Sequence, residues 1–119
     1  MPGSGTPLRQ ALSTTGRIFA KKSVGFTAGD PVEYACQPNF ALLTTDGYWN
    51  GAAGVDLNGS TIGNLDGGST PRPLYEGGSA SSNSLADVSK YYYDNDLRTS
   101  AQSNCTGALG QNVCGEGAG

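Results

Sequence analysis

Apolar residues recur at helical spacing near the start of the chain. Between Thr6 and about Lys22 they would line one face of a helix, at Leu8, Ala11, Leu12, Thr15 and Phe19. Thr6 is typical of an N-cap residue, and Pro7 suits the first helical position because the N–H that it lacks has no partner there. We therefore predict a helix over 6–22, in which Gly16 marks close packing or a kink.

The next apolar segment has a different pattern. Residues 39–45 read Asn-Phe-Ala-Leu-Leu-Thr-Thr, and Asp46 and Gly47 follow as a turn signal. A short continuous apolar run that ends in β-branched residues is typical of a strand buried on both faces. The sequence therefore predicts one central strand.

No period is sustained from Tyr48 to Asn83, where Gly, Ser, Asn, Asp and Pro dominate. An irregular stretch of this length is unusual inside a compact domain, and it indicates an insertion or a binding loop. Regular structure returns with Ser84-Leu-Ala-Asp87, which has the form of a helix capping box. We predict a second helix over 84–94.

The chain has three cysteines, Cys36, Cys105 and Cys114, and no C-x-x-C pair, so zinc and thioredoxin-like sites are not indicated. Cys105 and Cys114 stand nine residues apart in a stretch rich in Ser, Thr, Asn and Gly, which favours a small disulfide-closed loop over a reactive pair. Cys36 is then unpaired, or pairs with a cysteine outside the chain. Large apolar residues are rare beyond Arg98, so we expect residues 99–119 to form a mobile tail tied by this loop.

The composition explains why few elements are predicted, and it removes several functions. Leu, Ile, Val and Phe supply only 20 of the 119 residues, whereas Gly alone supplies 19. The absence of histidine excludes a Ser-His-Asp triad, a Cys-His pair and a His-ligated zinc site. A net charge of −3 argues against binding to nucleic acid or to an anionic membrane surface. The longest apolar run, residues 40–43, is too short to span a bilayer.

Two oxygen-bearing side chains occupy positions that suit a ligand site. Thr6 precedes the first predicted helix, and Asp46 follows the predicted strand. In open α/β sheets, ligand sites form beyond the carboxyl ends of strands, and Mg²⁺ accepts hydroxyl and carboxylate ligands. Both residues also have ordinary explanations, because Thr6 can cap the helix and Asp46 can begin a turn. The pattern alone leaves both interpretations open.

These segments resemble the second half of a von Willebrand factor A domain. The resemblance rests on Gly5-Thr6-Pro7-Leu8 and on the strand that runs into Thr45-Asp46-Gly47. In that family, a metal-ion-dependent adhesion site is built from an Asp-x-Ser-x-Ser loop, a threonine before a helix and an aspartate after a central strand. Thr6 matches the second element and Asp46 the third, and the first has no match in the chain. The resemblance implies an incomplete site for Mg²⁺ or Mn²⁺.

A narrower resemblance covers most of the chain. Four segments are similar to the PilY-type proteins, the tip-associated adhesins and biogenesis factors of bacterial type IV pili: CQPNF at 36–40, LTTDGYWNG at 43–51, GNLD at 63–66 and SLADVSKYYYDNDLR at 84–98. In that family the amino-terminal part resembles a von Willebrand A domain, and the carboxy-terminal part is a β-propeller with a calcium site. Nothing in this chain resembles the propeller.

Together these observations predict an α/β architecture. We expect a partial von Willebrand A-like region over 1–98, with an insertion at about 48–83, and a Gly/Ser-rich tail over 99–119. The implied function is a non-enzymatic adhesion and pilus-biogenesis module in which Tyr48 and Trp49 contact a ligand. The implied partners are type IV pilins or minor pilins and a host or surface ligand. The implied location is the pilus tip or the bacterial cell surface, with the signal peptide upstream.

Two alternatives stay open. One is an extracellular carbohydrate-acting hydrolase that pairs Asp46 with Asp56 or Asp66 as acid and base, which requires two carboxylates about 5–10 Å apart across a groove. The other is a truncated chain without an independent function. Calcium is not expected in this region, because the EF-hand-like start at Asp56 has its glycine too early and no glutamate at the twelfth position.

Overall fold

The computed structural model describes residues 5–23, 25–67 and 81–115. These ranges contain three helical elements: α1 (Leu8–Phe19), α2 (Leu85–Asp94) and a single 3-10 turn (Ser100–Gln102). No helix among the described residues is long and apolar enough to cross a membrane.

Helix α1 is shorter at both ends than the predicted range. Pro7, with a φ of −83° and a ψ of 60°, takes the N-cap position, and no side chain caps the helix, so the prediction of Thr6 as N-cap is wrong. The carbonyl of Thr6 instead accepts the N–H of Leu8 at 2.9 Å, which makes a tight turn before the helix. At the other end, Lys21 adopts a φ of 56°, and a helix cannot continue through this left-handed conformation.

Helix α2 begins as the capping box predicts. The hydroxyl of Ser84 accepts the N–H of Asp87 at 3.1 Å, and the Asp87 carboxylate accepts the N–H of Ser84 at 2.8 Å. Two of the unpaired donors at the helix start are thereby satisfied. The predicted second helix is confirmed at Leu85–Asp94.

The two helices pack directly against each other, because small residues lie where they meet. Gly16 of α1 is buried, and a methyl group at this position would overlap the ring of Tyr92 of α2. A methyl group at Gly54 would likewise overlap Val88 of α2 and the hydroxyl of Ser13 of α1. The prediction that Gly16 marks close packing is confirmed.

The core around this contact is small and mixed. Its buried apolar residues are Leu8, Ala20, Val32, Leu57, Val88, Val113 and Cys114. Its buried polar and charged residues are Ser13, Asp66, Asp87, Arg98 and Asn104. Since buried polar groups are costly unless they are hydrogen-bonded, specific polar contacts must supply much of the tertiary organisation.

Arg98 is the clearest of these contacts. Its guanidinium donates to the carbonyl of Phe19 at the end of α1, to the carbonyl of Asn104 at 3.0 Å and to the carboxylate of Asp30 at 2.6 Å. Burial would raise the pKa of Asp30, but the hydrogen bonds from Arg98 and Val32 and the charges of Arg98 and Lys21 hold it below its ordinary value. Arg98 therefore links its own segment to Phe19 and Asp30, which are 79 and 68 residues away.

The described residues form no strand at the predicted position 39–45, so the central strand stays a prediction. Every residue of 38–50, which we call the arm, is exposed, including Phe40 at 85% and Leu42 at 92%. A strand requires a neighbour that pairs with its N–H and C=O groups, and no described residue forms a backbone hydrogen bond with residues 40–45. The α/β class with a von Willebrand A-like sheet stays a prediction.

The expected mobile tail is wrong for residues 99–115, which are folded onto the end of α1. Asn104 is 5% exposed, and its amide donates to the carbonyls of Ala20 and, at 2.8 Å, of Leu97. Residues 116–119 lie outside the described residues. The predicted insertion at 48–83 is described up to residue 67 and again from residue 81, and it contributes the buried Leu57 to the core.

Candidate functional site

The candidate site lies where the arm returns to the start of α1. The N–H of Asn50 donates to the carbonyl of Thr6 at 3.0 Å. The Asn50 side chain fills the space beside Gly5, where a methyl group would overlap it. Gly51 follows with a φ of 97°, a conformation that favours glycine, and lies against Pro7. The end of the arm is thereby held on the N-terminal end of the helix.

Thr6, the first predicted metal ligand, lies at this contact. The residue is exposed, and its hydroxyl does not cap α1. The ordinary explanation for a threonine at this position therefore does not apply. The hydroxyl is left available to a ligand.

Asp46, the second predicted metal ligand, lies in the arm four residues before Asn50 and is exposed. The turn here is closed by Thr45, whose hydroxyl accepts the N–H of Gly47 at 3.2 Å, so the Asp46 carboxylate is not used in it. Four residues of extended chain reach at most about 14 Å, so Asp46 lies within that distance of the contact between Asn50 and Thr6. The convergence of the two oxygens on one ion stays a prediction.

The predicted ligand contacts Tyr48 and Trp49 differ in their surroundings. Tyr48 is 91% exposed, whereas Trp49 is 38% exposed. The guanidinium carbon of Arg9 lies 4.8 Å from the centroid of a Trp49 ring, within the range of a cation–π contact. Arg9 therefore covers part of the indole, whereas Tyr48 is accessible to a ligand.

Asp56 and Asp66, the partners of Asp46 in the hydrolase alternative, are hydrogen-bonded within a loop and buried, respectively. Asp56 accepts the N–H groups of Asn58 and Ser60, each at 2.8 Å, and Asp66 is 2% exposed. A groove of about 400 Å³ opens between α1, the base of the arm and the end of α2, and neither of these residues nor Asp46 lines it. Among the described residues, no three His, Cys, Asp or Glu side chains form a group that could hold a metal ion.

The cysteines also have defined positions. Cys105 and Cys114 form a disulfide, with their Cα atoms 5.1 Å apart, and Cys36 is a free, exposed thiol at the base of the arm. The disulfide joins the two ends of a loop. This loop packs against the segment that precedes the arm, where the N–H of Ala108 donates to the carbonyl of Val32 at 2.9 Å.

Reasoning from the sequence missed Arg9 and Asn50, which build the contact between the arm and α1. Neither belongs to a recognised ligand motif. The one available signal was the position of Arg9, which is one helical turn after Thr6 and is one of only seven cationic residues in the chain.

Comparison with known proteins shows what this chain is similar to. Curated relatives named type IV pilus biogenesis factor PilY1 occur in Pseudomonas aeruginosa. The relative from strain UCBPP-PA14 is 35% identical over 105 residues, which cover 81% of this chain and 8% of the relative. The relative from strain PAK is 34% identical over 117 residues, 86% of this chain and 9% of the relative. The relative from strain PAO1 is 33% identical over 115 residues, 84% of this chain and 9% of the relative.

The chain thus spans less than a tenth of the length of these relatives. No family model matches the chain, and no solved structure matches it significantly. The predicted resemblance to the PilY-type proteins is confirmed: over more than four fifths of its length, this chain is homologous to one segment of PilY1.

Proposed function

We propose that this chain acts in type IV pilus biogenesis as a non-enzymatic part of a PilY1-type protein. The observation that carries the proposal is the sequence identity of 33–35% to one segment of PilY1 over most of the chain. The motifs behind the resemblance also have structural roles here: residues 43–51 return the arm to α1, and residues 84–98 supply the capping box, the helix contact and Arg98. The proposed location is the cell surface at the pilus tip, where pilins and a surface ligand are the partners.

The arm is best explained by a von Willebrand A-like sheet. Residues 40–43 are apolar at every position, and their backbone groups have no partner among the described residues. A strand that is apolar on both faces is stable when it has neighbours in the sheet and a helical layer on each side. The PilY1 relatives extend far beyond the matched segment, so we propose that the sheet is supplied by the remainder of such a protein.

Thr6 and Asp46 are the two ligands that this chain contributes to a metal site of that sheet. Their chemistry fits Mg²⁺ or Mn²⁺, because both are hard oxygen donors and the structure uses neither side chain for capping or for the turn. A bound ion would offer an open coordination position to a carboxylate of a partner. Two protein ligands are too few for a closed site, so the remaining ligands are expected outside this chain.

The test compares the chain with a longer form that includes an upstream Asp-x-Ser-x-Ser loop. Saturating Mg²⁺ should raise the thermal stability of the longer form, by about 2.7 kcal/mol at a concentration 100 times the dissociation constant, and leave the short chain nearly unchanged. Asp46→Asn should remove this effect. In cells that produce the longer form, the same substitution should lower the number of surface pili or their adhesion to a surface.

Asp94→Asn is the matched control, because Asp94 is an exposed aspartate whose described ion pair is with Lys90 on the same helix. It should preserve both the Mg²⁺ effect and pilus function. Equal stabilisation of the short chain by Mg²⁺ would show that the site is not incomplete. Normal pili with the chain's segment deleted would overturn the role in biogenesis.

A further inference from the structure

We propose that Arg9 is the positioning residue of the candidate site: it holds the end of the arm, and with it Trp49, against the start of α1. The proposal rests on the proposed function only for the reason why the arm should be held in this position. The geometry itself is independent of that function.

The first argument is the number of groups that Arg9 joins. One terminal nitrogen donates to the carbonyl of Gly51 at 2.7 Å, and the other donates to the carbonyl of Asn83 at 2.8 Å. Gly51 directly follows the arm, and Asn83 directly precedes the N-cap of α2. One guanidinium on α1 therefore fixes the backbone at both ends of the intervening segment.

The second argument is the contact with Trp49. The guanidinium lies 4.8 Å from the ring centroid while it donates both hydrogen bonds. A planar guanidinium can stack on a ring with its face and donate along its edges at the same time, which an ammonium group cannot do. At this position the chain thus uses both terminal nitrogens of the guanidinium as donors and its charge beside the ring, a combination that a lysine ammonium cannot reproduce.

The third argument is the effect on the predicted ligands. The contacts that Arg9 makes on either side of Asn50, with Trp49 and Gly51, hold the N–H of Asn50 where it donates to the carbonyl of Thr6. Without these contacts, the exposed arm would be joined to α1 by one backbone hydrogen bond and by the glycine packing described above. Arg9 therefore limits how far the Asp46 turn can move from Thr6.

Tryptophan fluorescence tests this directly, because Trp49 is the single tryptophan of the chain. In Arg9→Gln, the constant for acrylamide quenching should rise about twofold, because a ring that is 38% exposed would lose its cation–π cover. Hydrogen exchange at the N–H of Asn50 should also accelerate. Arg9→Lys should give an intermediate result, because it keeps the charge and N–H donors but loses the planar fork that reaches two separate carbonyls.

Arg17→Gln is the matched control. Arg17 also lies on α1 and donates to a backbone carbonyl, that of Lys22 at 3.1 Å, at the far end of the helix from Trp49. It should leave the quenching of Trp49 unchanged at a temperature where circular dichroism shows intact helices. If Arg9→Gln lowers the helix content, Arg9→Lys provides the comparison.

Unchanged quenching and unchanged exchange in both Arg9 variants, with helices intact, would overturn the positioning role. This result differs from failure of the proposed function, which is read from the Mg²⁺ effect and from pilus assembly. A chain can keep Trp49 in place through Arg9 and still bind no metal.

Discussion

Two loops of this protein share one backbone form but are held in place by different chemistry. Loop A comprises residues 55–61 and loop B residues 106–112, and an antiparallel bridge joins the first and last residues of each. The N–H of the second residue donates to the carbonyl of the sixth at 2.8 Å in loop A and 2.9 Å in loop B. The fifth residue is a glycine with a φ of 88° in loop A and 85° in loop B.

Loop A is attached to the two helices by side-chain hydroxyl groups. The N–H of Val55 donates to the hydroxyl of Ser13 on α1 at 2.9 Å, and the hydroxyl of Tyr92 on α2 donates to the carbonyl of Val55 at 2.7 Å. Burial, and to a smaller extent the neighbouring Tyr91, raise the pKa of Tyr92 above its ordinary value, so its hydroxyl stays a donor. Side-chain hydroxyl groups of both helices therefore pair with the backbone N–H and carbonyl of Val55.

Loop B is closed by a covalent bond, and it is attached to the rest of the protein by cationic side chains and by the hydrogen bond from Ala108 to Val32. The disulfide between Cys105 and Cys114 flanks the bridge, and the N–H of Val113 donates to the carbonyl of Cys105 at 2.8 Å. Lys21 donates to the carbonyl of Thr106 at 3.0 Å. No described helix hydroxyl reaches this loop in the way that Tyr92 reaches loop A.

The difference shows how a chain with little apolar mass stabilises irregular segments. A loop beside a helix pair can use side chains that the helices already orient. A loop beyond the helix ends has no such support, so it depends on a cross-link that restricts the unfolded chain and on long cationic side chains that reach its carbonyls.

Removal of the disulfide should have the largest effect. The double substitution Cys105→Ser and Cys114→Ser should lower the free energy of unfolding by about 2–3 kcal/mol, because the bond closes a short loop in the unfolded chain. Urea unfolding followed by circular dichroism measures the change. Cys36→Ser, which removes a free exposed thiol, should change stability little. An equally stable double variant would show that loop B needs no cross-link.

Asp87→Asn should have the next largest effect, because Asp87 binds the backbone of the segment that follows loop A. Its carboxylate accepts the N–H of Leu65 at 2.6 Å in addition to the capping-box bond from Ser84. Loss of these charge-assisted hydrogen bonds should cost about 2 kcal/mol in urea unfolding. Asp94→Asn, on the exposed side of the same helix, should cost about 0.5 kcal/mol or less.

The same residue predicts a pH dependence. Burial by itself would raise the pKa of Asp87, but the hydrogen bonds from Leu65, Ser84 and Asp66 hold it below its ordinary value of 3.8. The stability that it contributes is therefore present above about pH 4 and is lost as the pH falls through the lower pKa of the folded state. The difference between the parent chain and Asp87→Asn should shrink below pH 4, and a difference that grew there would contradict the assignment.

Tyr92→Phe should have the smallest effect of the three. It keeps the ring that packs on Gly16 and removes only the hydroxyl that reaches Val55, so the expected loss is about 1 kcal/mol. Tyr93→Phe is the control, because Tyr93 is 82% exposed on the same helix. Equal stabilities of the two variants would mean that loop A does not depend on the hydroxyl of Tyr92.

Local signals predicted both helices and indicated close packing or a kink at Gly16. The capping box at Ser84, the turn residues around α1 and the absence of a side chain at Gly16 act over one or two helical turns, so the sequence alone expresses them. The prediction of Thr6 as the N-cap was wrong because Pro7 takes that position, in a backbone conformation set by the turn before the helix.

Neither the state of residues 39–45 nor the order of residues 99–115 could be predicted from the sequence, for a related reason. A strand is formed by its neighbours, and the apolar pattern of 39–45 describes what the segment would bury without showing that a partner is present. The tail was expected to be mobile because it has few apolar residues. Its order comes from Asn104 and Arg98, whose partners lie far away in the sequence at Ala20 and Asp30.

The sequence by itself determined the kinship with PilY1, the two helices and the pair of oxygen-bearing residues, because these follow from local motifs. The tertiary structure decided which groups remain available. In the structure, Thr6 does not cap α1, and Thr45 rather than Asp46 closes the turn. Arg9 bonds to the backbone at the end of the arm and to the backbone just before α2. The physical reason is that hydrogen-bond partners separated by tens of residues are chosen by packing, which no local pattern records.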